Sequence, residues 1–88
     1  MTAPNLYLAT ARDAILREIS DDEIAFAAAL KHIKYASESL REGEVALGYC
    51  RDALTELAKI ESKNVDRRQR VLSAQRAITT AIEQLEPK

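Results

Sequence analysis

The sequence predicts an all-α fold, and three observations lead to this prediction. The 88-residue chain contains only two glycines, two prolines and no tryptophan. Ala, Leu, Glu, Lys and Arg are abundant, and these are the residues with the highest helix propensity. Apolar residues recur at three- and four-residue spacing through most of the chain, as they do on one face of a helix. Because a chain of this length is one domain, we expect a single helical domain over residues 1–88.

The first helix is predicted over about residues 4–19. Proline is well tolerated at the first position of a helix, and Pro4 suits that position. An apolar stripe follows at helical spacing, formed by Leu8, Ala11, Ile15 and Ile19. One face of this helix is therefore expected to be buried.

The second helix is predicted over about residues 21–42. Ser20 followed three residues later by Glu23 is a capping box, which marks a helix start. Gly43 is placed to end the helix in a left-handed cap. The apolar arc covers most of the circumference of this helix, with its main stripe formed by Phe26, Leu30, Ile33 and Leu40. A second side, formed by Ala28, His32 and Tyr35, is left to be covered by helix 1, helix 4 or another chain.

The third and fourth helices are predicted over about residues 44–61 and 65–86. When the chain is folded back at Gly43, the apolar positions of helices 2 and 3 face each other, for example Ile33 with Leu54. The chain loses its apolar stripe at residues 20–23 and again at 62–68. Both interruptions lie at the same height in the folded-back arrangement.

Two architectures agree with this pattern. In one, the chain turns at both interruptions and forms an up-and-down four-helix bundle. In the other, one interruption stays helical and the chain forms a long antiparallel hairpin, completed by a second copy. Three- and four-residue spacing continues from Leu47 to Leu85, as in a coiled coil, and neither interruption contains Gly or Pro. We therefore favour helices paired as a hairpin and completed by homodimerisation, partly because a chain this short has few large apolar residues for its own core.

No catalytic, metal or cofactor site is predicted. The positions one turn away from His32 hold alanines and Tyr35, so this histidine has no local co-ligand. In histidine phosphotransfer domains a lysine is the third residue after the histidine, whereas here Lys34 is the second. Cys50 is the only cysteine and has no neighbouring base. We expect that the protein is not an enzyme.

The formal charge of −1 gives no general attraction to nucleic acids or membranes. No stretch has the length and apolar character of a membrane span, and the N-terminus has no basic region followed by an apolar run, so we expect a cytoplasmic protein. One local patch stands out, because Lys63, Arg67 and Arg70 share a helical stripe.

The favoured function is a non-enzymatic helical protein–protein interaction module, such as a small adaptor, regulator or co-chaperone. In general shape the predicted hairpin resembles small two-armed helical co-chaperones of bacterial secretion systems. The alternative is a small helical nucleic-acid-binding regulator that uses the basic stripe at 63–70. The candidate partner-binding residues are Ala28, His32, Tyr35, Lys63, Arg67 and Arg70.

Overall fold

The fold was analysed in a computed structural model, which describes residues 3–16, 24–60 and 64–86. These residues form four α-helices: α1 (Ala3–Leu16), α2 (Ile24–Glu38), α3 (Gly43–Ala58) and α4 (Val65–Leu85). No residue within the described ranges is in a strand. The all-α prediction is confirmed.

The four helices form an up-and-down bundle. Each helix packs against two others, in the cyclic order α1, α2, α3, α4, while within the described ranges the backbones of the diagonal pairs α1/α3 and α2/α4 do not approach each other closely. Successive helices are antiparallel. In α3 and α4, for example, Arg51 pairs with Glu86 just after the end of α4, whereas Leu57 near the end of α3 lines a groove with residues near the start of α4. The sequence favoured a hairpin completed by a second copy, whereas the fold is the four-helix bundle that was the other architecture considered.

The break between α3 and α4 shows that the second interruption is not helical throughout, whereas completion by a second copy remains a prediction. α3 ends at Ala58, and Asn64 has an extended backbone, with φ −78° and ψ 120°. Its side-chain Oδ1 accepts a hydrogen bond from the backbone N–H of Arg67 at 3.1 Å. This N-cap satisfies a donor that has no partner in the first turn of a helix. A helix running through residues 62–68 is therefore wrong.

α2 ends earlier than the sequence suggested. The chain leaves the helix after Glu38 through two successive turns, in which Ser39 N–H donates to the Ala36 carbonyl at 3.1 Å and Glu42 N–H donates to the Ser39 carbonyl at 2.8 Å. Gly43 is the first residue of α3 and does not have a positive φ. The predicted left-handed cap at Gly43 is wrong, because these two turns reverse the chain without a left-handed residue. The predicted capping box at 20–23 lies outside the described residues.

The core lies on the bundle axis and contains only apolar side chains among the residues described. Its largest fully buried members come from all four helices: Leu8, Ile15, Phe26, Ile33, Leu57 and Ile78. Eight alanines complete the cluster or lie beside it: Ala11, Ala29, Ala36, Ala46, Ala53, Ala74, Ala77 and Ala81.

The four lines along which neighbouring helices meet are of two kinds. α1 packs closely on α4 and α2 packs closely on α3, and we call these the close seams; the α1/α2 and α3/α4 lines have fewer contacts, and we call them the open seams. By helical periodicity, the alanines of α4 face α1, and Ala46 and Ala53 of α3 face α2. Small side chains allow two helix axes to approach closely. The open seams are lined by larger residues, such as Leu8 and Leu30 in one and Leu57 and Leu72 in the other.

Candidate functional site

The larger of two grooves on the described part of the chain follows the α1/α2 open seam, with a volume of about 460 Å³. Its floor is apolar: Leu8 and Ile33 are fully buried, and Ala9 and Leu30 lie half-buried above them. This volume falls within the range of about 300–1,000 Å³ that is typical of binding sites. The groove is therefore the best-formed candidate site among the residues described.

Simple helical spacing builds the two walls of this groove. On α1, Asn5, Ala9, Arg12 and Leu16 recur every three or four residues, so they lie along one side of the helix. On α2, Leu30 and Lys34 form the facing row. The α1 row lies beside the core stripe of that helix, and Leu30 lies at the edge of the α2 stripe, so each side chain is only partly covered.

The rim of the groove is charged. Arg12 on α1 and Lys34 on α2 are both exposed and stand on opposite sides, while Glu38 is exposed at one end. The guanidinium of Arg12 also contacts the carboxylate of its neighbour Asp13 at 3.3 Å, but both side chains are more than half exposed. An ion pair this exposed contributes little, so Arg12 can exchange Asp13 for another carboxylate at small cost.

A second, smaller groove follows the α3/α4 open seam, with a volume of about 180 Å³. Leu57, Val71 and Leu72 line it, and Arg68 and Gln75 supply its polar atoms. Its size is below the usual range for a ligand site. We therefore take the α1/α2 groove as the principal candidate.

Three of the predicted partner-binding residues lie together at the α2/α3 close seam. Tyr35 lies 5.4 Å from the Tyr49 ring of α3, and His32 stacks on the same ring at 6.4 Å with an interplanar angle of 26°. Ala28 is half-buried one turn before His32. This side of α2 was expected to be left for helix 1, helix 4 or another chain, and that expectation is wrong because α3 covers it. Binding of a partner by these residues remains a prediction.

The His32 ring has one unusual feature. Its Nδ1 is buried and has no hydrogen-bond partner. The ring is half-buried and its neighbours within one turn are alanines and Tyr35, so it packs here as an aromatic side chain.

The basic stripe predicted at 63–70 is only partly described. Lys63 lies outside the described residues. Arg67 places its guanidinium over the ring of Phe26, 4.9 Å from the centroid, and is half-buried, as is Arg70. Arg67 thus joins α4 to α2 at the end of the bundle through a cation–π contact. Nucleic-acid binding by this stripe remains a prediction.

The structure provides a physical reason for treating Cys50 as a core residue. Its side chain is fully buried on α3, and burial raises the pKa of the thiol from 9.0 to about 11. A thiol with a raised pKa has little of the thiolate form that acts as a nucleophile or metal ligand. Among the residues described, no three His, Cys, Asp or Glu side chains are grouped to hold a metal ion.

The α1/α2 groove was not predicted, because the α1 wall residues lie outside the main apolar stripe of that helix and Leu30 was expected to face α3. The available signal was the row of Ala9 and Leu16 beside the core stripe of α1, which widens its apolar face.

None of the described helices combines the length and the hydropathy needed to cross a membrane. Comparison of the chain with models of protein families, with curated proteins and with solved structures gave no match.

Proposed function

We propose that this protein is a helical protein–protein interaction module without enzymatic activity, of the adaptor, regulator or co-chaperone kind. The observation that carries the proposal is the α1/α2 groove, in which the partly exposed apolar side chains of Ala9, Leu16 and Leu30 lie between exposed charged rims. Partially exposed apolar surface bordered by polar residues is typical of protein-binding sites. A cytoplasmic location is part of this proposal and rests on the sequence.

Self-association is a separate part of the proposal. The sequence predicted a homodimer because the apolar arcs were too wide for one hairpin, and in the bundle much of this surface is covered within one chain. A dimer would have to use remaining apolar surface, such as the exposed Leu6 and Val45. The midpoint of thermal unfolding would then rise with protein concentration. An unchanged midpoint over a hundredfold dilution would remove the dimer from the proposal and leave the module.

The function is tested by photo-crosslinking in cells of the source organism, with a crosslinking amino acid at Ala9 in the groove. A matched protein carries the same amino acid at Thr79, which is exposed on α4. The proposal expects one or a few proteins to be crosslinked from Ala9 and not from Thr79. It is overturned if the two positions give the same crosslinks, or if crosslinking from both yields only nucleic acid. The second result, together with strongly salt-dependent binding to duplex DNA or structured RNA, would support the alternative function.

A further inference from the structure

We propose that the α1/α2 groove binds one amphipathic helix of a different protein, and that acidic residues flank the apolar face of that helix. This inference rests on the proposed function and specifies the chemistry of the partner. It follows from the length of the groove, the nature of its floor and the distribution of charge on its rims.

The dimensions of the groove match a short helix. From Asn5 to Leu16 the groove follows twelve residues of α1, whose eleven steps of 1.5 Å span roughly 16 Å, or three helical turns. Leu8 and Ile33 lie fully buried beneath the groove, and its accessible apolar surface comes from Ala9, Leu16 and Leu30. A helix that inserts apolar side chains at positions i, i+3 or i+4 and i+7 has this length and this periodicity.

The charges on the rims select the partner. Arg12 and Lys34 stand on opposite walls, so a helix lying in the groove has a cation on each side. Acidic side chains on both edges of its apolar face would complement these cations, and this complementarity raises the rate and the specificity of association. Glu38 lies at one end of the groove and favours a basic residue at the corresponding end of the partner helix.

The same charges disfavour a second copy of this chain in the groove. Two chains that pair symmetrically place the same surface of each against the other. The rims would then bring Arg12 and Lys34 of one chain toward the same residues of the other. Juxtaposed like charges cost binding free energy, so the occupant is a helix of opposite charge.

The test uses three synthetic helical peptides of fourteen residues as probes. All three carry leucines at the same i, i+3, i+7 positions and differ only in the flanking residues, which are Glu, Gln or Lys. Their affinities for the full chain are measured by fluorescence anisotropy. We expect the Glu peptide to bind at least tenfold more tightly than the Lys peptide, with the Gln peptide between them.

Two sets of variants locate the binding site. Arg12→Glu with Lys34→Glu should weaken the Glu peptide at least tenfold and reverse the preference between the Glu and Lys peptides. Lys59→Glu with Arg76→Glu makes the same change in charge at exposed positions outside the groove and should change the affinity less than twofold. Ala9→Trp should fill the groove and abolish binding of the Glu peptide, whereas Ala58→Trp, at the exposed edge of the separate α3/α4 groove, should not. Circular dichroism verifies that each variant remains folded, and Ala9→Leu replaces Ala9→Trp if it does not.

Three results would overturn the inference. The Glu and Lys peptides would bind equally, or the Glu peptide would bind Ala9→Trp as tightly as the unchanged protein. Alternatively, the unchanged protein would sediment as a dimer that Ala9→Trp dissociates, which would assign the groove to a second copy. These failures are distinct from failure of the proposed function, because crosslinking from Ala9 to a partner protein in cells does not depend on the charge of that partner.

Discussion

The two sides of α2 differ, although they belong to the same helix. Toward α3 the helix presents Ala29 and Ala36 with the His32 and Tyr35 rings, and the two helices pack closely. Toward α1 it presents Leu30 and contacts are fewer, so a groove of about 460 Å³ remains.

The α4 helix repeats this asymmetry, with alanines toward α1 and a groove toward α3. At the close seams small residues lie next to the core, and the large rings of the α2/α3 seam, His32 and Tyr35, pack against Tyr49. Large side chains hold two helix axes apart, and the space between them fills only where side chains from both helices interdigitate. The bundle thus consists of two closely packed helix pairs, which meet across two open seams. Both grooves described above lie at the open seams.

A buried charge should have the largest effect at a close seam. The Ala53 side chain of α3 is fully buried. Ala53→Asp would therefore leave a carboxylate without a partner in the core. The cost is several kcal/mol, against a total stability of roughly 4–13 kcal/mol for a domain of this size. We expect loss of the folded state, measured by circular dichroism and urea denaturation. Ala58→Asp on exposed surface of the same helix should cost less than about 1 kcal/mol, and equal effects at the two positions would contradict the distinction between seams.

Replacing an alanine of α1 by leucine should have different effects on stability at the close seam and at the open seam. Ala11 is fully buried and Ala9 lines the α1/α2 groove. Ala11→Leu overpacks the bundle and should lower the free energy of unfolding by about 1–3 kcal/mol. Ala9→Leu has free volume available and should change it by less than about 0.5 kcal/mol. Urea denaturation of both variants checks this, and a larger cost at Ala9 would show that the groove is not open in solution.

The same asymmetry explains which parts of the structure could be predicted from the sequence. The helical class and the packing of α2 on α3 follow from composition and from apolar spacing, and both are confirmed. The orientation of α2 about its own axis could not be predicted. Its apolar arc is so wide that either side is able to face α3, and the leucine stripe was chosen over the alanines. How closely two helices approach depends on the residues of both, and the spacing of residues within one helix does not predict it.

Two local predictions failed for a related reason. Gly43 was expected to cap α2, but the chain reverses before it, through hydrogen bonds donated by the backbone N–H groups of Ser39 and Glu42. Asn64 is a good N-cap and so indicates a helix start. The three- and four-residue spacing, however, continues through this position and is equally typical of one long helix. The groove could not be predicted at all, because it exists only where rows from α1 and α2 face each other.

Titration of Cys50 measures how far water enters from the open seams. The pKa of its thiol is raised from 9.0 to about 11 by burial, so the folded state keeps its proton after the unfolded state has lost its own. The stability that the folded state owes to its protonated thiol is fully present below about pH 9, and it is lost as the pH rises toward about 11. Between pH 8 and pH 10 the loss is about 1 kcal/mol. It is obtained as the difference in unfolding free energy between the unchanged protein and Cys50→Ala, and an identical pH dependence of the two proteins would show that water reaches the thiol.

The smallest effect is expected at the ion pair that crosses the α3/α4 seam. Arg51 and Glu86 approach to 3.8 Å, but their side chains are 62% and 50% exposed. Exposed pairs of this kind contribute between zero and about 1 kcal/mol, so Arg51→Gln should change the free energy of unfolding by less than about 0.5 kcal/mol. A double-mutant cycle with Glu86→Gln isolates the interaction from other effects of each substitution. A coupling energy above about 1 kcal/mol that disappears in high salt would mean that charge holds this seam together; a value near zero leaves Leu57, Val71 and Leu72 as the contacts that join α3 to α4.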